Sequence, residues 1–177
     1  MTYVAFLRAI NVGGNSIVSM TAVKEAFIAI GLSDVRTYIN SGNVIFSTAA
    51  LDTEKLTATI EEALERRTGI AIKVLVMDHR ALTKVVDAIP PKWVDDKTTR
   101  TYVLLLWKEL DDRRILDRLP VNPEVDRLKY TPGAVIWCVD RKDLSRSRMN
   151  RMVGTPDYKR MTVRSANTVR KLNEMTS

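Results

Sequence analysis

The sequence predicts an α+β fold made of two related halves, residues 1–90 and 91–177, within one compact module. Segments of β-branched and aromatic residues alternate with amphipathic segments, and over the first half they follow the order βαββαβ, which is typical of a ferredoxin-like sheet. Pro90-Pro91 then interrupts the pattern, because proline cannot continue a helix. Beyond it the order starts again, and Thr101–Val103 repeats the letters of Thr2–Val4, which indicates an internal duplication.

The elements of the first half follow from local patterns. Runs of β-branched and aromatic residues predict strands, helical spacing of apolar residues predicts two helices, and Ser41-Gly42 predicts the turn of a hairpin. Gly31 and Gly69 stand where helices commonly end. The predicted elements are a strand at 2–9, a helix from about 20 to 30, hairpin strands at 35–40 and 43–47, a helix at 52–68 and a strand at 70–77.

The second half repeats this pattern only in part. Its predicted elements, after a linker helix at 78–88, are a strand at 101–107, a short helix at 111–118, hairpin strands at 125–130 and 134–139, and helices at 145–153 and 166–175. No fourth strand is predicted in the basic region after residue 140. We therefore expect a tandem ferredoxin-like protein whose second half is incomplete and is extended by C-terminal helices.

Composition predicts a cytoplasmic protein. Cys138 is the single cysteine of the 177 residues, so an intramolecular disulfide is excluded and a reducing compartment is indicated. The segment 1–10 is too short for a signal peptide and is interrupted by Arg8. No apolar run approaches the ~20 residues that a membrane-spanning helix needs, so we expect no membrane partner.

The positive charge is concentrated in the second half. The formal net charge is +7, and residues 1–90 are balanced with nine basic and nine acidic side chains, whereas residues 141–171 hold ten basic and two acidic ones. Such a region is typical of a protein that binds a polyanion such as nucleic acid, although solvated helices also carry it. The candidate anion-binding residues are Arg146, Arg148, Arg151, Lys159, Arg160 and Arg164.

A second candidate site lies at one edge of the first predicted sheet. In a ferredoxin-like sheet the loop after the first strand and the turn between the next two strands share an edge, which places NVGGN (11–15) beside NSGN (40–43). Backbone amides of a Gly-Gly loop before a helix can bind an anion or a polar small molecule, although Asn and Gly are also ordinary turn residues. The candidate ligand-binding residues are Arg8, Asn11, Gly13, Gly14, Asn15, Arg36, Asn40, Ser41 and Asn43.

Several kinds of enzyme and cofactor site lack their residues. No GxxxxGK[ST], GxGxxG or GxSxG string is present, and His79 is the single histidine, with no thiol or carboxylate at a suggestive spacing. No cluster of His, Cys and carboxylates supplies metal ligands. We therefore predict no cofactor and no metal, and we favour a protein without catalytic activity while leaving that question open.

Two strings resemble an uncharacterised bacterial family, the domain of unknown function 1697 family. These are LRAINVGGN (7–15) and VRTYINSGNV (35–44), and the resemblance extends to Thr162, Arg164, Asn167, Thr168 and Lys171-Leu172 near the C-terminus. Ser165-Ala166 stands where the family pattern implies Asn-Trp. The resemblance implies the duplicated α+β fold, and it implies no reaction, ligand or catalytic residue.

Three functions remain open on the sequence alone. The first is a non-enzymatic module that binds a polyanion such as a nucleic acid through the basic C-terminal region. The alternative is a site for a small anionic molecule or phosphometabolite, with or without catalysis, at the NVGGN and NSGN edge. The third is an oligomerising protein with an open sheet face, and we expect a monomer or a weak homo-oligomer.

Overall fold

The computed structural model describes residues 1–11 and 17–177. Within these residues, helices combine with two separate four-stranded antiparallel sheets, so the α+β class is confirmed. The chain divides into a first unit of Met1–Arg80 with Leu172–Ser177 and a second unit of Ala81–Lys171. No helix in the described ranges has the length and apolarity to cross a bilayer.

The first unit contains one sheet and the helices that follow its strands. Its elements are β1 (Thr2–Leu7), α1 (Met20–Ala29), β2 (Ser33–Tyr38), β3 (Asn43–Ser47), α2 (Thr53–Thr68), β4 (Val74–Asp78) and the start of α3 (His79–Ala88). The strand order is β2-β3-β1-β4. Both β1 and β2 run antiparallel to β3, so the end of β1 lies at the same edge as the β2–β3 turn.

Local sequence explains the boundaries of these helices. The Ser19 hydroxyl accepts a hydrogen bond from the backbone of α1, and the Asp52 carboxylate accepts one at 3.0 Å from the Lys55 amide at the start of α2. Helix α2 ends at Gly69, which has a φ of 72°. The core between helices and sheet includes Phe46, whose ring stacks on Tyr3 at 5.7 Å. Capping and the apolar faces therefore fix these elements.

The second unit has a sheet of the same strand order. Its strands are β5 (Thr99–Leu106), β6 (Arg127–Thr131), β7 (Ala134–Asp140) and β8 (Met161–Ser165), and their order is β6-β7-β5-β8. Helix α4 (Ala166–Thr176) follows β8, close to the predicted helix at 166–175. Short 3₁₀ helices at Lys108–Leu110 and Arg113–Asp117 replace the predicted α-helix at 111–118.

The prediction of an incomplete second half is wrong. Strand β8 pairs antiparallel with β5 from Tyr102↔Ser165 to Leu106↔Met161, so this sheet has its fourth strand. The strand was missed because it is short and lies in a segment read as basic. Met161 is buried in the apolar cluster, and Arg164 is buried as well.

The predicted α-helix at 145–153 is also wrong. The segment forms two 3₁₀ helices, Arg141–Arg146 and Met149–Met152, separated by Ser147 in extended conformation. The Ser147 hydroxyl accepts a hydrogen bond at 3.2 Å from the Met149 amide, which satisfies a backbone donor outside an α-helix. The predicted basic helix is therefore a chain of tight turns.

Candidate functional site

The polar edge of the first unit brings together the end of β1 and the β2–β3 turn. The Leu7 amide donates to the Gly42 carbonyl at 2.8 Å, and the Asn11 Nδ2 donates to the Asn40 carbonyl at 2.8 Å. Asn11 also exchanges hydrogen bonds with the Val18 backbone through Oδ1 (2.8 Å) and Nδ2 (3.0 Å). Its amide thus ties the loop ends to the turn. Three further predicted residues, Gly13, Gly14 and Asn15, lie outside the described residues.

The backbone at this edge is strained. Ala9, Asn11 and Ile39 have φ values of 54°, 54° and 50°, a left-handed region that is costly for a β-branched residue such as Ile39. Each such residue costs on the order of 1–3 kcal/mol and persists only where the surroundings hold it. Gly42 has a φ of 78°, and a Cβ there would come within 2.8 Å of the Leu7 Cβ. The NSGN turn therefore needs glycine at this position.

The other residues predicted at this edge differ in where the structure places them. Asn43 is fully buried, and its Nδ2 donates to the Tyr38 carbonyl and the Ser41 hydroxyl, both at 3.1 Å. Arg36 donates to the Met175 carbonyl at 2.8 Å and lines an open cleft of about 630 Å³ with Lys24 and Asp34. The structure therefore joins Asn11, Asn40, Ser41 and Asn43 at the edge. Arg36 belongs to that other cleft, and Arg8 is half-buried just beyond β1.

The basic segment, residues 141–160, separates its apolar and charged side chains. In a 3₁₀ helix, residues three apart lie on the same side. Met149 and Met152 share the buried side of one turn, whereas Arg148 and Arg151 are exposed. Arg148 and Arg151 are three residues apart and therefore both lie on the exposed side of this 3₁₀ turn.

Part of the positive charge is neutralised within the second unit. Arg146 forms ion pairs with Glu124 at 2.6 Å and with Asp143 at 3.1 Å. Arg118 pairs with Asp157. Both acidic side chains of residues 141–171 are therefore engaged, and Arg146 has less charge to offer a partner than the sequence indicated.

Arg164 does not belong to the exposed basic surface. It is 8% exposed, and its Nη1 donates to the Thr162 hydroxyl at 2.8 Å and to the Val163 carbonyl at 2.9 Å. Burial lowers the pKa of its guanidinium to about 10. Its predicted contact with an external anion is incompatible with this burial, because β8 directs the side chain into the protein.

Five of the six predicted cations are exposed, and one of these, Arg146, is ion-paired. The other four carry no ion pair among the described residues, and we call them the basic face: Arg148, Arg151, Lys159 and Arg160. Arg148 is the N-cap of the 3₁₀ helix Met149–Met152, which contains Arg151, and Lys159 and Arg160 belong to the 3₁₀ helix Tyr158–Arg160. Side chains from both elements line one cleft of the second unit.

This aromatic cleft, of about 380 Å³, lies between the sheet and the basic segment. It is lined by Arg100, Tyr102, Trp137, Leu144, Ser147, Met149, Asn150, Met152, Val153, Tyr158 and Val163. Tyr102 and Trp137 are cross-strand partners on β5 and β7, and their rings stack at 5.1 Å with an angle of 17°. The sheet therefore supplies an aromatic floor.

Asp126 connects this floor to the basic face. One carboxylate oxygen accepts a hydrogen bond from the Trp137 Nε1 at 2.9 Å. The other accepts from the Asn122 amide at 2.8 Å and from the Arg148 amide at 3.3 Å. The residue is buried, so these contacts hold the indole and the start of the basic turn in one arrangement.

Arg100 places a further positive charge in the cleft. Its guanidinium carbon lies 5.4 Å from the Tyr102 ring centroid, within the range of a cation–π interaction. Its Nη1 is 3.7 Å from the Oδ1 of Asp95, and the Nη2 of Arg141 lies at 3.7 Å from the same oxygen. The cleft thus combines an apolar wall, an aromatic floor and a cation, which is the usual make-up of a small-ligand site.

The described part of the chain offers no metal site. No group of three or more His, Cys, Asp or Glu side chains within it could hold a metal ion. The Nδ1 of His79 is 2.8 Å from the Thr176 hydroxyl, within the first unit. Cys138 is buried on β7.

Comparisons with known proteins identify a family and a protein of similar fold. The family described as "Protein of unknown function (DUF1697)" matches residues 1–137. This protein belongs to the DUF1697 family. No curated protein matches the sequence significantly.

A solved structure of low sequence identity shares the fold of this DUF1697 protein. It is that of a conserved bacterial protein, SP0830 from Streptococcus pneumoniae, which is 22% identical, with a TM-score of 0.84 over 99% of this chain and 98% of the other. The family match ends before the basic segment, whereas the structural likeness includes it. The fold, and no activity, follows from this likeness.

The C-terminal residues that suggested the DUF1697 family have structural contacts. Asn167 Nδ2 donates to the Asp95 carbonyl at 2.8 Å. Ser165, in place of the Asn that the resemblance implied, accepts a hydrogen bond at 3.2 Å from the Thr168 amide. A serine hydroxyl can therefore cap α4 as an Asn would.

The aromatic cleft was not predicted from the sequence. Trp137, Met149 and Met152 are largely buried, and the sequence indicated no role in a site for them or for Tyr102. The sequence signal that could have indicated the cleft was an aromatic residue on the first strand of the second half, Tyr102, and another on its third strand, Trp137. Their pairing depends on the register between β5 and β7, which the sequence alone does not give.

Proposed function

We propose that this protein is a non-enzymatic module that binds a polyanion, and specifically a nucleic acid, through the basic face. The observation that carries the proposal is the division of the turn at 148–152, with both methionines buried and both arginines exposed. Their charges lack carboxylate partners within the described residues, while Arg146 and Arg164 are paired or buried. Exposed, unneutralised cations are the groups that contact phosphates.

The proposal predicts how steeply the affinity for nucleic acid falls with salt concentration. If the four cations of the basic face each contact one phosphate of a single strand, the affinity falls with a log–log slope of about −2.8. Between 50 and 200 mM salt the affinity then falls about 50-fold. Replacing two cations should leave a slope of about −1.4 and a fall of about sevenfold.

The test is a mobility-shift or anisotropy titration at these two salt concentrations. The double variant Arg148→Glu/Arg151→Glu should lose most of the binding and at least half of the slope. The double variant Lys55→Glu/Lys84→Glu is a matched control, because it makes the same change of net charge at exposed helical positions. Equal loss in both variants would reduce the effect to net charge, and no binding by the native protein at 50 mM salt would end the proposal.

A small anionic ligand at the polar edge is the alternative function. The left-handed residues Ala9, Asn11 and Ile39 favour it, because strained backbone is often found at functional sites. The internal hydrogen bonds of Asn11 and Asn43 favour a structural role instead. Thermal-shift measurements with inorganic phosphate and phosphorylated metabolites test it, and the alternative requires stabilisation that Asn40→Ala abolishes.

The finer architecture belongs to the same proposal. We infer that the two units are ferredoxin-like halves of an internal duplication, supported by their shared strand order of second, third, first and fourth strand. We also infer that the protein acts in the cytoplasm, because a single cysteine, Cys138, is typical of a reducing compartment. We further infer a monomer or a weak homo-oligomer.

A further inference from the structure

We propose that the aromatic cleft of the second unit binds the base of a nucleotide whose phosphate contacts the basic face. This inference rests on the proposed function and names its ligand as a single strand with accessible bases, rather than a duplex. The chemistry that would be recognised is a planar aromatic ring joined to a phosphate. Both a nucleic acid strand and a free nucleotide contain these two groups.

The cleft has the size and the lining for such a group. Its volume of about 380 Å³ lies in the range of small-ligand sites, and most of its lining is apolar. Tyr102 is half-buried within it, so that part of its ring reaches the open space. A base that lies against Tyr102 would also meet Met149 and Met152, whose sulfur atoms suit contact with aromatic rings.

Polar groups stand where a base has its hydrogen-bonding edge. Asn150 is an exposed residue of the lining, and its amide can both donate and accept. The Ser147 hydroxyl accepts from the Met149 amide and keeps its own proton to donate. The floor and walls are thus sequence-tolerant stacking surfaces, and these two side chains contact the base edge.

Charge complementarity selects a phosphorylated ligand. Arg100 lies inside the cleft, beside the Tyr102 ring. Arg148 and Arg151 alternate along the chain with the lining residues Ser147, Met149, Asn150 and Met152. Through Asp126, the Arg148 backbone is joined to the Trp137 indole. A base on the floor therefore brings its phosphate toward the basic face.

The experiment separates the base from the phosphates. Anisotropy titrations compare a single-stranded oligonucleotide, an abasic strand of equal length and a blunt duplex, all at one salt concentration. The expected result is that the single strand binds at least about tenfold more tightly than the abasic strand, because stacking on aromatic side chains adds to phosphate contact. Equal affinities for the single and abasic strands would overturn the cleft and leave the basic face intact.

Two variants locate the effect. Tyr102→Leu removes the ring while keeping an apolar side chain, and we expect it to reduce the preference for the single strand about tenfold without changing abasic binding. Val153→Glu places a carboxylate at an exposed lining residue without cutting into the core. Leu51→Glu is its matched control, since that residue is also exposed and lies in the first unit. Unchanged base preference in both cleft variants would overturn the proposal.

A second readout does not depend on the basic face. In a Trp93→Phe/Trp107→Phe background, Trp137 is the remaining tryptophan, and a base in the cleft should quench its fluorescence. If no strand binds, the proposed polyanion function fails, and titration with a mononucleotide decides the cleft separately. Quenching that Tyr102→Leu abolishes supports a free nucleotide as the source, and absence of quenching by both strand and mononucleotide overturns the inference.

Discussion

Substitution of Gly42 by alanine tests whether the NSGN turn is dictated by packing. Gly42 has a φ of 78°, and an added Cβ would lie 2.8 Å from the Leu7 Cβ and 2.9 Å from two Ile10 carbons. Gly31 offers a matched position, because its φ is 83° and nothing lies within 4 Å of an added Cβ. The two substitutions share the cost of left-handed backbone and differ in the steric conflict.

The expected magnitudes follow from these two contributions. A left-handed alanine costs about 1–2 kcal/mol, partly offset by the lower entropy of the unfolded chain, which applies equally to both variants. Overpacking against Leu7 and Ile10 adds about 1–3 kcal/mol in Gly42→Ala alone. We therefore expect the free energy of unfolding to fall by about 3 kcal/mol for Gly42→Ala and by about 1 kcal/mol for Gly31→Ala.

Urea and thermal unfolding, followed by circular dichroism, measure the difference. For a chain of this size 1 kcal/mol corresponds to about 2–4 °C, so Gly42→Ala should melt about 6 °C below Gly31→Ala. If both variants lose the same stability, the close approach of Gly42 to β1 does not constrain the turn. The glycine of NSGN would then call for a functional explanation at the polar edge.

Three further substitutions test individual contacts. Backbone hydrogen bonds from Thr99 and Thr98 lower the pKa of Asp96 to about 2. The Asp96 carboxylate therefore stabilises the fold above the unfolded pKa near 4, and this contribution is lost as the pH falls through 2. Urea titrations should show that the stability of Asp96→Asn depends less on acid pH than that of the native protein. Asp126→Leu leaves the buried Trp137 N–H without its acceptor, and the unfolding free energy should fall by about 1–3 kcal/mol, whereas no change would refute the link between floor and turn. Ser165→Ala removes the cap of α4 and should cost about 1 kcal/mol, while Ser165→Asn should preserve the stability, and equal losses in thermal melts would contradict capping.

The division of the basic residues into exposed, ion-paired and buried side chains determines how many of them can contact phosphates. Net charge alone suggested a broad basic surface over residues 141–171. Of the six predicted anion-binding residues, the structure leaves four both exposed and without an ion pair among the described residues, since Arg146 is paired and Arg164 is buried. A weak, salt-sensitive contact with few phosphates is therefore expected, and the cleft would supply the remaining affinity.

The order of the elements and most of their types were encoded locally. Alternating β-branched residues, helical spacing, the Asp52 cap and Gly69 belong to short stretches of chain, and each acts through bonds to near neighbours. The sequence for that reason also predicted that Asn11 and Asn40 meet at one edge, because strand order decides which loops are adjacent. The sequence did not predict β8, because this strand of five residues contains Arg164 and lies within a region of high positive charge that resembles a solvated segment.

Contacts between residues distant in the chain determined the features that local sequence patterns did not predict. Whether an arginine is exposed, paired or buried depends on residues distant in the chain, as Glu124 is from Arg146. The stack of Tyr102 on Trp137 depends on a register set by pairing across 35 positions of sequence. The sequence by itself therefore determined the class of fold and the excess of positive charge. Only the tertiary structure decided which of those charges face outward and which aromatic rings meet in the cleft beside them, because burial and pairing are properties of the packed chain.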